Sequence, residues 1–179
     1  KGTEQKSTVR LVISGDFIYN SENVNKLEAL SEILQIKLTE RLREDEGGVY
    51  SPGAFVSYGK YPTARYSFTI TFGCGPENVE KLIAASLDEI AKLRKNGPQA
   101  VDLEKFLAEE RRSTEVQLKE NGFWLGYLVN QYQNLEDPKM LLTYLESLKK
   151  LNTENLKQAA NQYLIDSNFI RLVLEPEKK

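Results

Sequence analysis

From residue 65 to 74 the chain reads RYSFTITFGC, and every second position is apolar. Tyr66, Phe68, Ile70, Phe72 and Cys74 alternate with Arg65, Ser67, Thr69, Thr71 and Gly73. A strict period of two marks a strand with one face buried and one face wet. That pattern belongs to an antiparallel sheet covered by helices on one side.

The rest of the chain supplies the sheet's partners and its cover. Val9 to Phe17 sets Val9, Leu11 and Ile13 on one side and predicts an opening strand. Val24, Leu27, Leu30, Leu34, Leu38 and Leu42 recur at spacings of three and four, predicting a long amphipathic helix from Ser21, its cap, to Glu44. Gly47-Gly48 closes it. Residues 49–58 predict a strand that pairs with 65–74 through the turn Gly59-Lys60-Tyr61-Pro62-Thr63. Pro76 opens a helix that repeats Val79, Leu82, Ile83, Leu87, Ile90 and Leu93 on one face and stops at Gly97-Pro98. A charged helix over 99–120, an apolar one over 123–134, one opened by Asp137-Pro138 and one capped by Thr153 follow. Residues 168–174 predict the last strand. The expected fold class is α+β: a mostly antiparallel sheet with helices on one face, in one domain spanning 1–179. Phe123, Trp124 and Leu125 are expected in the core, because aromatic residues at helical spacing usually are.

Composition removes several kinds of chemistry. There is no histidine among the 179 residues. A Ser-His-Asp triad, a Cys-His dyad and histidine-ligated metal are therefore excluded on this chain. The single cysteine, Cys74, allows no internal disulfide and reads as a small buried hydrophobe. Twenty-four Lys and Arg against 26 Asp and Glu give a net charge of −2, so no cationic field is available for nucleic acid or anionic lipid. No apolar run approaches the ~20 residues of a membrane span. The chain opens on Lys1 rather than Met, which reads as a fragment or a processed form.

One stretch stands apart: Arg41-Leu42-Arg43-Glu44-Asp45-Glu46-Gly47-Gly48-Val49-Tyr50, at the junction of the long helix and the hairpin. Arg43 falls in the last helical turn, where a cation complements free carbonyls, and Tyr50 starts the next strand. On these grounds both are open to a structural reading, Arg43 as a C-terminal cap and Tyr50 as a half-buried aromatic with a wet hydroxyl. The acids 44–46 read as a solvated turn.

This stretch resembles the C-terminal non-catalytic domain of the insulinase/pitrilysin zinc metallopeptidases, in the style of the bacterial processing-peptidase-like zinc proteases. The resemblance rests on RLRE ending a long helix, an acidic-Gly turn, and a Tyr seven positions after the Arg. It extends in family order through EQKSTVRLVISGDF, FTITFGCGPENVEKL, NGFWLGYL and LNTENLKQAANQYLIDSNFIRLVLEP, and so covers essentially the whole chain. The paired Gly47-Gly48 departs from the family habit of a single Gly there.

The resemblance implies homologous α+β domains forming two facing halves around a closed proteolytic chamber. Zinc lies in the N-terminal domain, on an HxxEH helix plus a distal Glu, so it belongs to the parent protein and not to this chain. By the match, Arg43 and Tyr50 point towards that zinc site from the opposite half. Arg43 would hold substrate carbonyls, and the Tyr50 hydroxyl would donate to the oxyanion of peptide hydrolysis. Arg41 is the weaker candidate, because the seven-residue spacing picks Arg43. The implied partners are the N-terminal catalytic half of the same protein, or a partner subunit, and a peptide or protein substrate. The isolated chain is expected to be inactive, and the setting is a cell envelope or periplasm. An inactive relative serving as a scaffold or peptide-binding subunit is the alternative, and an unrelated α+β ligand-binding module is the third.

Overall fold

The structure, a computed structural model, describes residues 4–49 and 51–177. The alternating segment is strand β3 (Arg65–Cys74), and its five apolar residues are all buried. It pairs antiparallel with β2 (Gly53–Gly59) on one side and with β1 (Ser7–Asp16) on the other, and β1 also pairs antiparallel with β4 (Phe169–Leu174). The sheet order is β2-β3-β1-β4. The registers Val9–Phe72, Leu11–Ile70 and Ile13–Phe68 align the apolar rows, so one face of the sheet is continuous core. The opposite face carries exposed Phe55, Ile170, Leu172 and Leu174.

Helices cover the inner face. In α1 (Ser21–Leu38), Leu27, Leu30, Ile33, Leu34 and Leu38 are fully buried, on the face the spacing predicts. Helix α1 packs on β2 and on α6 (Thr153–Tyr163). Beside them lies α2 (Val79–Asn96), which follows a 3₁₀ turn at Pro76–Asn78. Then come α3 (Ala100–Gln117), α4 (Asn121–Asn134), a 3₁₀ turn at Pro138–Thr143 and α5 (Tyr144–Leu148). This is the α+β arrangement expected from the sequence. Two polar ties hold the layers in register. The Tyr66 hydroxyl of β3 donates to the Tyr163 carbonyl of α6 at 2.8 Å. Lys37 of α1 lies 3.1 Å from Asp102 of α3, whose side chain is fully buried.

Several expectations need correction. The caps sit one residue earlier than expected: Asn20, not Ser21, accepts from the Asn23 N–H, and Asn152, not Thr153, exchanges hydrogen bonds with Asn155. Strand β2 starts at Gly53 rather than at 49, since Pro52 has no N–H to give the ladder. Helix α4 forms but does not enter the core. Trp124 is 40% and Leu125 69% exposed, and Phe123 stacks on Tyr127 at 5.9 Å. The cause is architectural: among the described residues α4 packs mainly on the 138–143 turn. The Trp124 indole N–H donates locally, to the Leu118 carbonyl at 2.9 Å.

Candidate functional site

The RLRE segment is helical but not an α-helix. Residues Thr39–Asp45 continue α1 as a π-helix, with the Glu46 N–H bonded five residues back to the Arg41 carbonyl at 3.1 Å. π-turns are rare and frequently mark functional positions. Leu42 is fully buried and fixes the turn against the core, which leaves Arg43 exposed beside it.

The two arginines therefore separate. Arg41 is half-buried and braces the turn, with Nη2 at 3.0 Å from Glu46 and Nη1 at 3.8 Å from Asp45. Lys81 of α2 reaches the other Glu46 oxygen at 2.6 Å, and this hydrogen bond holds the Glu46 carboxyl below its ordinary pKa. Glu46 is thus the exception to a solvated acidic turn: Glu44 and Asp45 are exposed, but Glu46 joins the end of α1 to α2. Nothing in local spacing signals Lys81, which arrives from a different helix.

The glycines then turn the chain. Gly47 has φ +62°, the left-handed region that an L-residue adopts at a cost of roughly 1–2 kcal/mol. A Cβ on Gly48 would stand 3.0 Å from a Leu82 methyl, so that glycine allows close approach to α2. Gly47→Ala meets no neighbouring atom within 4 Å. It is therefore expected to destabilise by the backbone term alone, about 1 kcal/mol in urea unfolding, with no change in fold. Tyr50, the second site residue expected from the sequence, lies outside the described residues. Its neighbours Val49 and Pro52 are buried, and Ser51 is exposed.

With this sheet, helical cover and turn in place, the comparisons give a family. The model of the "Peptidase M16 inactive domain" matches residues 1–110. The chain belongs to the peptidase M16 inactive-domain family, the non-catalytic part of zinc protease-like proteins. It is 30% identical over 118 residues to the zinc protease PQQL-like of Arabidopsis thaliana, covering 63% of this chain and 12% of that protein. Its fold superposes on the periplasmic protease PqqL of Escherichia coli with a TM-score of 0.84 at 24% identity, over 97% of this chain and 19% of that one. On the peptidase M16 inactive domain from Pseudomonas fluorescens the TM-score is 0.82 at 20% identity, over 98% of this chain and 42% of that one. The chain thus spans a small fraction of the curated relatives it matches. The family resemblance read from the motifs is borne out.

The relatives' zinc does not fit this chain's residues. No histidine is available, the one thiol is buried in β3, and burial pushes that thiol's pKa up. Among the described residues no group of three or more Cys, Asp or Glu is placed to hold a metal ion. Among the same residues no helix is long and apolar enough to cross a membrane.

Proposed function

We propose that residues 1–179 form one domain of a longer zinc protease and build part of the wall of its proteolytic chamber. The chemistry happens at a zinc site held by the catalytic half of the protein, or by a partner subunit, and the substrate is a peptide or protein. Arg43 grips peptide carbonyls through its forked donors, and the Tyr50 hydroxyl donates to the oxygen that gains charge as the peptide is cut. The observation that carries this reading is the presentation of Arg43. A π-turn anchored by Leu42 and braced by the Arg41–Glu46–Lys81 bridge holds an arginine at the surface on a rigid base. Rigid support of this kind is what a substrate-positioning side chain requires. The periplasmic setting of the E. coli relative favours a cell-envelope location.

The test is Arg43→Ala in the full-length protease. Loss of a positioning contact should raise KM about tenfold and change kcat by less than about threefold. Zinc content should stay at the parent value. An unchanged KM would remove Arg43 from the substrate site and leave it a surface residue.

A further inference from the structure

A cavity lined by aromatic residues lies at the opposite end of α1 from Arg43. It has a volume of about 380 Å³, is open to the surface, and is lined by the start of α1, by α3 and α4, and by the 138–143 turn with α5. Tyr19, Tyr58, Tyr127, Tyr144 and Phe123 form its walls, and Glu110 and Glu136 line it. No Lys or Arg does.

Three tyrosine–carboxylate pairs converge here. The Tyr58 hydroxyl donates to Glu28 at 2.6 Å, and the Tyr144 hydroxyl donates to Glu110 at 2.6 Å. Tyr19 stands beside Glu136, whose charge, after burial, pushes the phenol's pKa up. Burial and carboxylate neighbours raise Tyr58 and Tyr144 in the same way, so all three remain donors. Burial and the neighbouring Glu110 also push the Glu28 carboxyl up, and its bond from Tyr58 opposes this only in part. The site is therefore rich in acceptors and short of positive charge. Gln131, on the same wall, adds a buried Oε1 with no hydrogen-bond partner among the described residues. A lysine meets one of these rings from outside the cavity. Lys60 lies outside the cavity, bonded to the Asn134 carbonyl, with its Nζ 5.7 Å over the Tyr19 ring.

Aromatic faces joined to carboxylates make a site for an organic cation. The rings attract the charge, and the carboxylates accept its N–H groups. The volume fits an extended side chain rather than a bare ion. We propose that this cavity binds a guanidinium or primary ammonium group, such as the side chain of an arginine or lysine in a polypeptide, with Glu110 as its counter-ion. This assignment is independent of the proposed roles of Arg43 and Tyr50.

The test titrates the chain, followed by amide NMR, with N-acetyl-arginine methylamide, with the neutral isostere N-acetyl-citrulline methylamide, and with agmatine. The arginine probe should shift the amides of Thr114, Gln131 and Tyr144. The citrulline probe should bind at least about tenfold more weakly. Glu110→Gln should weaken the arginine probe by about tenfold without loss of the native spectrum. Glu136→Gln supplies the same comparison from the other wall should the first variant unfold. Agmatine binding as tightly as the capped arginine would show that the peptide backbone is not recognised and assign the site to small organic cations, whereas preference for the capped arginine would assign it to a polypeptide side chain. Equal binding of arginine and citrulline probes, shifts confined to other surfaces, or no binding up to about 10 mM would overturn the proposal.

Discussion

Lys37→Met should cost the fold about 3–5 kcal/mol, the loss expected when one partner of a buried ion pair is removed. Asp102 is the reason. Its side chain is fully buried at the start of α3, where Oδ2 accepts the Gln99 N–H at 3.3 Å and Oδ1 faces Lys37 Nζ at 3.1 Å. Without the ammonium group, Oδ1 keeps no hydrogen-bond partner among the described residues and the carboxylate is stranded away from water. Urea unfolding near neutral pH measures the loss. A loss below about 1 kcal/mol would show that Asp102 is stabilised by other means. The double variant Lys37→Met/Asp102→Asn should recover most of the stability, because it removes the charge and keeps an acceptor for Gln99. The pH dependence has a definite sign. Burial works against the Lys37 charge, but Asp102 and Glu40 outweigh it and hold its pKa above the ordinary 10.5. A lysine with a raised folded pKa contributes fully below its unfolded value and loses that contribution as pH rises through the folded one. The gap between parent and Lys37→Met should therefore persist through neutral pH and close only in strong alkali.

Tyr50→Phe in the full-length protease should lower kcat by roughly 100- to 1,000-fold, or about 2–4 kcal/mol, if its hydroxyl is an oxyanion donor. The change removes one oxygen and keeps the ring, so folding and zinc content should be unaffected. KM should move little, because the donated bond strengthens only as charge develops on the substrate oxygen. An unchanged kcat would leave Tyr50 a structural aromatic. A raised KM with kcat preserved would make it a binding residue, the role proposed for Arg43.

Much of this architecture is legible in the chain because its apolar periods are long. Strand β3 alternates through its whole length, and α1 repeats leucine over several turns, so each could form only one kind of element. Caps are harder. At Asn20-Ser21 and Asn152-Thr153 two competent capping residues stand side by side, and spacing does not say which one the chain uses. Composition misleads at α4. Phe123, Trp124 and Leu125 look like core, but burial needs an opposing layer, and among the described residues α4 packs mainly on the 138–143 turn. The candidate site divides the same way. The Arg-to-Tyr spacing picks out Arg43, yet only the fold shows what Arg41 does, since Arg41 and Lys81 converge on Glu46 from two helices.

The π-turn at Thr39–Asp45 carries a broader consequence for motifs of this kind. A wider turn houses more residues in each circuit of the axis than an α-helical one does. The number of residues between two motif positions and the direction in which the arginine leaves the helix are then separate quantities. A chain with one residue fewer could close the same junction as plain α-helix and still present an arginine to the same side. Searches keyed to a fixed Arg-to-Tyr count would pass over it, while a comparison of side-chain vectors would not.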